Sequence, residues 1–227
     1  MITRTRTTPS TLDQCAAKSG VFTVQAPLFD NVQVGGAAIT FERNAEIFGE
    51  GENADYVYKV LSGSVRAYKV LSDGRRQVTA FYLPGDVFGI ESELEHSISA
   101  EAIDRTAILV ARRSSVFSIA DSDSEVARHL WSATAEELRR SQNHALLLIK
   151  TAKERIAAFL LDMAARLAGK GFVELPMSRQ DIADYLGLTI ETVSRTLTQL
   201  SEGSTIQLLA SRRIVLRNPS RLNELNA

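Results

Sequence analysis

One stretch near the carboxyl end of the chain constrains the fold more than any other, because it indicates two short helices joined by a glycine. Its sequence, SRQDIADYLGLTIETVSRTLTQL, covers residues 178–200. Ser178 and Asp181 have the spacing of a capping box, which predicts the start of a first helix. Gly187 can adopt the left-handed backbone of a tight helix exit, and Thr189 is the expected N-cap of a second helix. The stretch therefore predicts a helix-turn-helix.

The second of these helices has one apolar face and one polar face. Val193, Leu197 and Leu200 recur at helical spacing and predict the buried side. The residues expected to point away from the core and to contact DNA bases are Ile190, Glu191, Ser194 and Arg195. An arginine guanidinium matches the two acceptors of a guanine edge, and a glutamate can accept from a cytosine amino group. The alternative is that Glu191 and Arg195, four residues apart, form only a weak surface ion pair.

The charge of the chain is modest for a protein that would bind nucleic acid. Its net charge is -1 over 227 residues, and residues 151–227 carry ten Lys and Arg against eight Asp and Glu, a surplus of two. A weak surplus favours a dimer, because two modest surfaces on one duplex add their phosphate contacts. The residues predicted to contact phosphate are Ser178, Arg179, Thr189, Thr192, Arg212 and Arg213. For Arg212 and Arg213, solubilising surface charge is an equally good interpretation.

The middle of the chain changes from β-type to helical patterning. Residues 39–111 contain runs such as YVYKVLSG and QVTAFYLPGD that are separated by glycines, a pattern typical of an antiparallel barrel or jelly-roll-like sandwich. Residues 123–150 carry a helical stripe of Leu130, Leu138, Ala145 and Leu148. Little neighbouring chain is left to cover this stripe, so we expect it to pair with a second copy. Packing within one chain is the alternative.

The remaining segments complete a fold of class α+β. A further amphipathic helix is expected from Thr151, and the runs IQLLA and SRRIVLRN predict the hairpin, or wing, of a winged helix. The predicted parts are a flexible N-terminal tail at 1–24, a jelly-roll-like β-roll at 25–120, a dimerisation helix at 121–150 and a winged helix-turn-helix DNA-binding domain at 151–227.

Several classes of function lack their sequence signals. No long apolar run or secretory segment occurs, which predicts a cytoplasmic protein without a membrane span. Cys15 is the single cysteine, and a free thiol is favoured over a redox switch. The histidines form no metal-ligand cluster, and His129 and His144 are expected to be solvated on the long helix. Because no Ser-His-Asp set, H-E-x-x-H motif or P-loop is present, we do not expect an enzyme.

The order of parts resembles the CRP/FNR superfamily of bacterial transcription regulators over about residues 25–217. PGDVFGIE at 84–91 is similar to the family's turn before the effector pocket, and TAKERIAAFLLDMAARL is similar to its first DNA-domain helix. ETVSR is similar to the E-x-x-S-R pattern of the FNR and FixK branch. The resemblance implies that Glu191, Ser194 and Arg195 read a TTGA-type half-site, two of which form a TTGA-N6-TCAA palindrome.

The sequence departs from the cofactor-binding members of that family. Cyclic-AMP-binding members have a glutamate directly after the glycine of the turn and an Arg-Ser pair for the phosphate. Here Ile90 follows Gly89, Glu91 is one place later, and EHSISAEA contains no arginine. A buried phosphodiester without a cation is costly, so no cyclic nucleotide site is expected. Cys15 alone cannot hold the iron-sulfur cluster of FNR-type sensors, and no cofactor is predicted.

The resemblance then points to FixK-like regulators. It implies a homodimeric activator, with RNA polymerase as a further partner, in the control of microaerobic respiration, nitrogen fixation or denitrification. Some relatives carry a redox-responsive cysteine near the DNA face, where this chain has Ser178. The alternative is a regulator whose β-roll is gated by haem or a small metabolite. Apolar residues of the β-roll, such as Phe81 and Leu83, are predicted to be core.

Overall fold

The structure, a computed structural model, describes residues 22–24, 28, 35–167 and 171–226. The chain divides into two compact units. Unit 1 comprises residues 1–69 and 81–135, and unit 2 comprises residues 70–80 and 136–227. Cys15 and most of the predicted N-terminal tail lie outside the described residues.

The described N-terminal half forms nine strands in two antiparallel sheets. The strands are β1 (Phe22–Val24), β2 (Gly36–Phe41), β3 (Glu46–Phe48), β4 (Tyr56–Ser62), β5 (Val65–Val70), β6 (Arg76–Tyr82), β7 (Val87–Phe88), β8 (Ser99–Ala102) and β9 (Thr106–Arg112). Their orders are β1-β2-β9-β4-β7 and β3-β8-β5-β6. This arrangement confirms the predicted β-roll. The β-roll begins earlier than predicted. Its first strand, β1, lies within the expected N-terminal tail and pairs with β2.

The core of unit 1 draws on residues of both sheets and of the helical segment that follows them. Val57 and Val60 of β4 and Leu109 of β9 are fully buried. Burial of this kind is expected for strands whose sequences contain apolar runs. Phe81 and Leu83 are buried as predicted. A Cβ on Gly89, which has a φ of +75°, would lie 2.5 Å from the Tyr58 ring, so this turn requires glycine on steric and conformational grounds.

Two helices follow the β-roll. The first, α1 (Arg113–Ala120), was not predicted. Val116 is its one buried residue, and a single buried position leaves no helical periodicity in the sequence. The second, α2 (Ser124–Leu147), lies within the predicted dimerisation helix at 121–150. The sequence thus correctly predicted the long helix and missed the short one.

Unit 2 contains the helix-turn-helix. Its remaining elements are α3 (Ala152–Arg166), β10 (Val173–Glu174), α4 (Arg179–Leu186), α5 (Ile190–Glu202), β11 (Ile206–Leu208), β12 (Arg213–Leu216) and α6 (Pro219–Asn226). The N-cap of α3 is Thr151, in a capping box with Glu154. The predicted wing hairpin is β11 and β12, and it gains an unpredicted third strand in the order β10-β12-β11. The terminal helix α6, anchored by the buried Leu222, was also missed.

In the described part of the chain, every helix is too short or too polar to cross a lipid bilayer.

Candidate nucleic-acid interface

The first helix of the motif, α4, begins and ends as its sequence predicts. The backbone N–H of Asp181 donates to Ser178 Oγ at 3.1 Å, and the N–H of Ser178 donates to Asp181 Oδ2 at 3.0 Å. This reciprocal capping box satisfies two amides that lack helical partners. Gly187 has a φ of +61°, and its N–H donates to the carbonyl of Ala183. The tight exit that glycine permits therefore sets where the second helix can start.

The second helix, α5, is fixed by its cap and its apolar face. Thr189 Oγ1 accepts from the backbone N–H of Thr192 at 3.2 Å. Val193, Leu197 and Leu200 are buried as predicted, and Thr196 joins them on the same face. Since this face packs inward along the whole helix, the opposite face is fixed outward.

The four predicted base-contacting residues lie on that outward face. Glu191, Ser194 and Arg195 are exposed, and Ile190 is 37% exposed. Within the described residues no ion pair joins Glu191 to Arg195, so the alternative based on a surface ion pair is not realised. Hydrogen bonds from its own backbone amide and the Thr189 side chain lower the pKa of Glu191. The helix therefore presents a carboxylate and a guanidinium side by side, each available to a ligand.

Arg179 is a second cation at the motif for which the described residues supply no partner. It is the first residue of α4, half-buried, and its Nη1 is buried with no hydrogen-bond partner among the described residues. Burial lowers the pKa of Arg179, and no carboxylate offsets that effect. A buried donor without an acceptor is costly, and the N-terminus of a helix favours anions. The position is therefore suited to a phosphate.

The hydroxyl groups at the helix starts are already engaged. Ser178 Oγ donates to Asp181 Oδ2 at 2.6 Å, and the Thr189 and Thr192 hydroxyls are 3.2 Å apart. These side chains shape the two helix starts at which phosphates are expected. Of the three, Thr189 is exposed, and Ser178 and Thr192 are half-buried.

The two wing arginines differ from the sequence interpretation, because both have partners within unit 2. Arg213 Nε lies 3.0 Å from Glu174 Oε1, and its guanidinium lies 5.5 Å from the centre of the Phe172 ring. Arg212 Nη1 donates to the carbonyl of Pro176 at 2.8 Å. The reason is the third strand, which sequence reasoning missed and which places Glu174 and Pro176 beside β12. Arg212 is thereby held next to the start of α4, whereas the positive charge of Arg213 is paired with the carboxylate of Glu174.

Two side chains that sequence reasoning missed hold the carbonyl end of α4. His144 Nε2 lies 2.7 Å from the carbonyl oxygen of Tyr185, and its ring stacks on the Tyr185 ring at 4.1 Å. Arg155 Nη1 donates to the carbonyl of Leu186 at 2.7 Å. The expectation that His144 is solvated is wrong, because burial lowers its pKa and favours the neutral ring that can stack. Nothing in the local pattern of the long helix signals this contact.

The apolar stripe that the sequence predicts for a dimer contact differs from the apolar stripe that is exposed in the structure. Leu130 is only 8% exposed and packs in the core cluster of unit 1, and Leu148 lies 3.5 Å from the position of a Cβ on Gly187. Both therefore face their own chain. Leu138 and Ala145 are exposed, and Trp131, seven residues before Leu138, is 76% exposed. Seven-residue spacing places side chains on one seam of a helix, so the exposed apolar seam of α2 contains Trp131 and not Leu130.

The turn at 84–91 leads into a closed aromatic cluster in unit 1. The His96 ring stacks on Phe48 with 3.6 Å between ring centres, and Tyr58 stacks on Phe88 at 5.1 Å. Glu91 Oε1 lies 3.5 Å from His96 Nδ1, and this contact lowers the pKa of Glu91. His96 Nε2 is buried without a partner among the described residues. A negative carboxylate and packed rings thus occupy the region after the turn.

A β-roll with a long helix and a winged helix-turn-helix defines a class of two-unit, DNA-binding regulators. Residues 154–225 match the Crp-like helix-turn-helix domain family, and residues 38–123 match the Cyclic nucleotide-binding domain family. The chain is 50% identical over 198 residues to the nitrogen fixation regulation protein FixK of Azorhizobium caulinodans, covering 85% of this chain and 80% of that protein. It is 40% identical over 186 residues to the transcriptional activatory protein AadR of Rhodopseudomonas palustris, covering 80% and 77%.

A solved structure agrees with these relatives. The structure of FixK2 from Bradyrhizobium japonicum superposes with a TM-score of 0.82 at 53% identity, covering 85% of this chain and 98% of that chain. The chain therefore belongs to the CRP/FNR family of transcription regulators, in its FixK-like branch.

The cyclic nucleotide that this family membership implies does not fit the residues present. Its phosphate is an anion and needs a cation when it is buried. Glu91 is negative, and residues 96–102 contain no arginine or lysine. The nearby strand residue Arg66 holds Glu101 at 2.9 Å. The region is therefore filled by groups that bind each other and supplies no partner for a phosphodiester.

Proposed function

We propose that the chain is a homodimeric, sequence-specific transcription activator that binds a TTGA-N6-TCAA-type palindrome. The single observation that carries this proposal is the outward face of α5, where Glu191 and Arg195 lie exposed without an ion pair between them. Ser194 lies exposed on the same face, and Ile190 offers an apolar contact for a thymine methyl. Each α5 would enter one major groove and read one half-site.

The phosphate contacts that support this reading surround the two helix starts. Arg179 brings an unpartnered donor, and Arg212 is held beside the start of α4 through the carbonyl of Pro176. Ser178, Thr189 and Thr192 lie at the same helix starts, and their hydroxyls would turn from their present partners to donate to phosphate. Arg213 is the weakest of the proposed phosphate contacts, because phosphate must displace Glu174 from it.

The exposed seam of α2 supports the proposed dimer. Trp131, Leu138 and Ala145 are exposed at intervals of seven residues, and an uncovered apolar seam of this kind is stabilised by a second copy. A dimer places its two recognition helices about 34 Å apart, one turn of the duplex. The palindrome mirrors that twofold symmetry.

The names of the relatives support a proposal for the biological role. The names of the FixK and AadR proteins describe nitrogen fixation regulation and transcriptional activation. We propose that this chain acts in the cytoplasm, activates genes of microaerobic respiration, nitrogen fixation or denitrification, and does so through contact with RNA polymerase. It would not need cAMP, because residues 96–102 contain no arginine or lysine to hold a phosphate, and it would not need an iron-sulfur cluster, because Cys15 is the single cysteine.

The proposal is tested by titrating purified protein against a labelled TTGA-N6-TCAA duplex without any added effector. Tight binding of two chains per duplex, with far weaker binding to a scrambled duplex of equal length, is the expected result. Equal affinity for both duplexes, or one chain per duplex, contradicts it.

One observation favours a second candidate, a regulator gated by haem or another small ligand. His96 Nε2 is buried in the aromatic cluster without a partner among the described residues, and an imidazole nitrogen is a common metal ligand. The same titration separates the two candidates. A ligand-gated regulator binds its palindrome only after the effector is added.

A further inference from the structure

Arg76 is an ion-pairing residue of unit 2 that lies outside the helix-turn-helix. It is the first residue of β6, and residues 70–80 belong to unit 2. Its Nη2 lies 2.7 Å from Asp181 Oδ1 and 2.7 Å from Asp184 Oδ2, and its Nε donates to Asp184 Oδ2 at 2.9 Å. The next residue, Gln77, donates from Nε2 to the carbonyl of Tyr185 at 3.3 Å. Two consecutive residues of one strand therefore hold both ends of α4.

The contact with Asp181 is the informative one, because this carboxylate has two tasks. Its Oδ2 accepts from the amide and hydroxyl of Ser178 in the capping box, whereas its Oδ1 faces Arg76. The Asp181 side chain is only 3% exposed. A carboxylate buried to this degree needs a cation, so the start of α4 depends on a side chain that comes from a distant segment of the sequence.

The electrostatics of Arg76 agree with this dependence. Burial by itself lowers the pKa of Arg76, but the hydrogen bonds and negative charges of Asp184 and Asp181 outweigh burial and raise it overall. The guanidinium therefore remains charged and neutralises two carboxylates beside the helix start. Without it, both would repel a phosphate that approaches Arg179, the first residue of α4.

We propose that Arg76 is a positioning residue for DNA binding, which acts through Asp181 to fix the first turn of α4 and the phosphate contacts of Ser178 and Arg179. This inference rests on the proposed function in so far as those contacts are made with DNA. Arg76 itself need not touch the duplex. Its guanidinium fork engages two carboxylates at once, a geometry that lysine does not reproduce.

The neighbouring residue offers a matched control. Arg75 is an arginine of the same hairpin, its side chain is 77% exposed, and its ion pair is with Asp73 two residues away. Arg75→Met removes the same charge and side chain without touching α4. The comparison of Arg76→Met with Arg75→Met therefore isolates the contact with Asp181 and Asp184.

The first measurement uses the full chain without DNA. Amide hydrogen exchange over residues 179–186 is expected to be roughly tenfold or more faster in Arg76→Met, because charged hydrogen bonds to a buried group are lost. Arg75→Met is expected to match the wild type. Unchanged exchange of α4 in Arg76→Met overturns the proposal, and this readout does not depend on any duplex.

The second measurement is binding to the palindromic and scrambled duplexes. Arg76→Met is expected to weaken both by a similar factor, roughly tenfold, since phosphate contacts carry no sequence information. Replacing Asp184 by Asn in that background removes one uncompensated charge and should restore part of the affinity, which a purely structural role would not predict. Faster exchange with unchanged affinity overturns the proposal.

A third variant keeps the test decisive if Arg76→Met does not fold. Arg76→Lys retains the charge and loses the fork, so exchange and affinity are expected to change in the same directions by a smaller factor than in Arg76→Met. Arg75→Lys is its control, and equality of the two lysine variants overturns the proposal. If the wild type shows no preference for the palindrome, the proposed function fails, whereas hydrogen exchange still decides the role of Arg76.

Discussion

Two glutamates, one in each unit, show how a binding surface differs from a closed core. Glu91 follows the β-roll turn and is half-buried, and its carboxylate contacts His96 and Ser97. Glu191 is exposed at the start of α5, with partners only in its own helix start. Both carboxylates have lowered pKa values, but from different causes: the first chiefly from the half-buried contact with the His96 side chain, the second from hydrogen bonds at its own exposed helix start.

The two glutamates differ in what their surroundings leave open, although both lie in domains that match a known family. A group binds an external partner only when it retains unused hydrogen-bonding capacity. In the β-roll the carboxylate and rings bind one another, whereas on α5 the charged groups point outward. The FixK-like chain thus keeps the fold of the cyclic nucleotide-binding domain family, and the charged side chains that we propose contact DNA are exposed on α5.

The largest effect is expected from a substitution that separates the two chains of the proposed dimer. Leu138→Glu places a charge in the exposed seam of α2, which should yield monomers and weaken binding to the palindrome about 100-fold or more, because avidity is lost. Sedimentation and duplex titration measure both effects. Leu94→Glu, at a leucine 83% exposed elsewhere in the chain, is the control. A dimeric Leu138→Glu protein contradicts the assignment.

A smaller effect on DNA affinity is expected from replacing Arg179, whose Nη1 has no hydrogen-bond partner among the described residues. Arg179→Met should weaken binding to all duplexes alike and reduce the slope of log affinity against log salt by about 1 for each subunit. Arg221→Met, which removes an exposed arginine paired with Glu224, should leave the slope unchanged. An effect confined to the palindrome would mean that Arg179 reads bases.

The contact between α2 and α4 predicts a pH dependence of stability. Burial lowers the pKa of His144 below its usual 6.5, so the unfolded chain binds a proton before the folded chain does. The free energy of unfolding should therefore fall as pH drops below about 6.5, by at most about 1.4 kcal/mol per pH unit from this group. Urea unfolding at pH 7.5 and 5.5 measures it. His144→Gln should lose this contribution, and an unchanged pH dependence contradicts it.

The smallest effect is expected when cyclic AMP is added to the protein. Calorimetry should show no micromolar binding to the wild type, because the region after the turn lacks a cation for the phosphate. Glu91→Gln removes a negative charge there and should leave affinity for the palindrome unchanged. Micromolar binding of cAMP would show that the closed cluster opens, and would remove the contrast between the two glutamates.

The sequence predicted those parts of the molecule that depend on neighbours a few residues away. The capping box of Ser178 and Asp181, the left-handed Gly187 and the buried face of α5 are set by local spacing. The same spacing indicated which side chains of α5 are exposed. These features need no knowledge of the rest of the fold.

What the sequence did not reveal are contacts between segments distant along the chain. Leu130 belongs to the stripe of its helix but is covered by the β-roll core, and Arg213 appeared free until β10 brought Glu174 beside it. The two-residue strand β10 is too short to leave a periodic signal. Arg76 is separated from Asp181 by 105 residues, and no local pattern connects them.

Above all, we propose that Arg195 contacts a base of each half-site. The most direct measurement is a cycle of four affinities, for wild type and Arg195→Ala, each on the palindrome and on a duplex with both half-site guanines replaced. We expect Arg195→Ala to cost about 1–3 kcal/mol per half-site on the palindrome and little on the altered duplex. Equal losses on the two duplexes would contradict base reading by this helix.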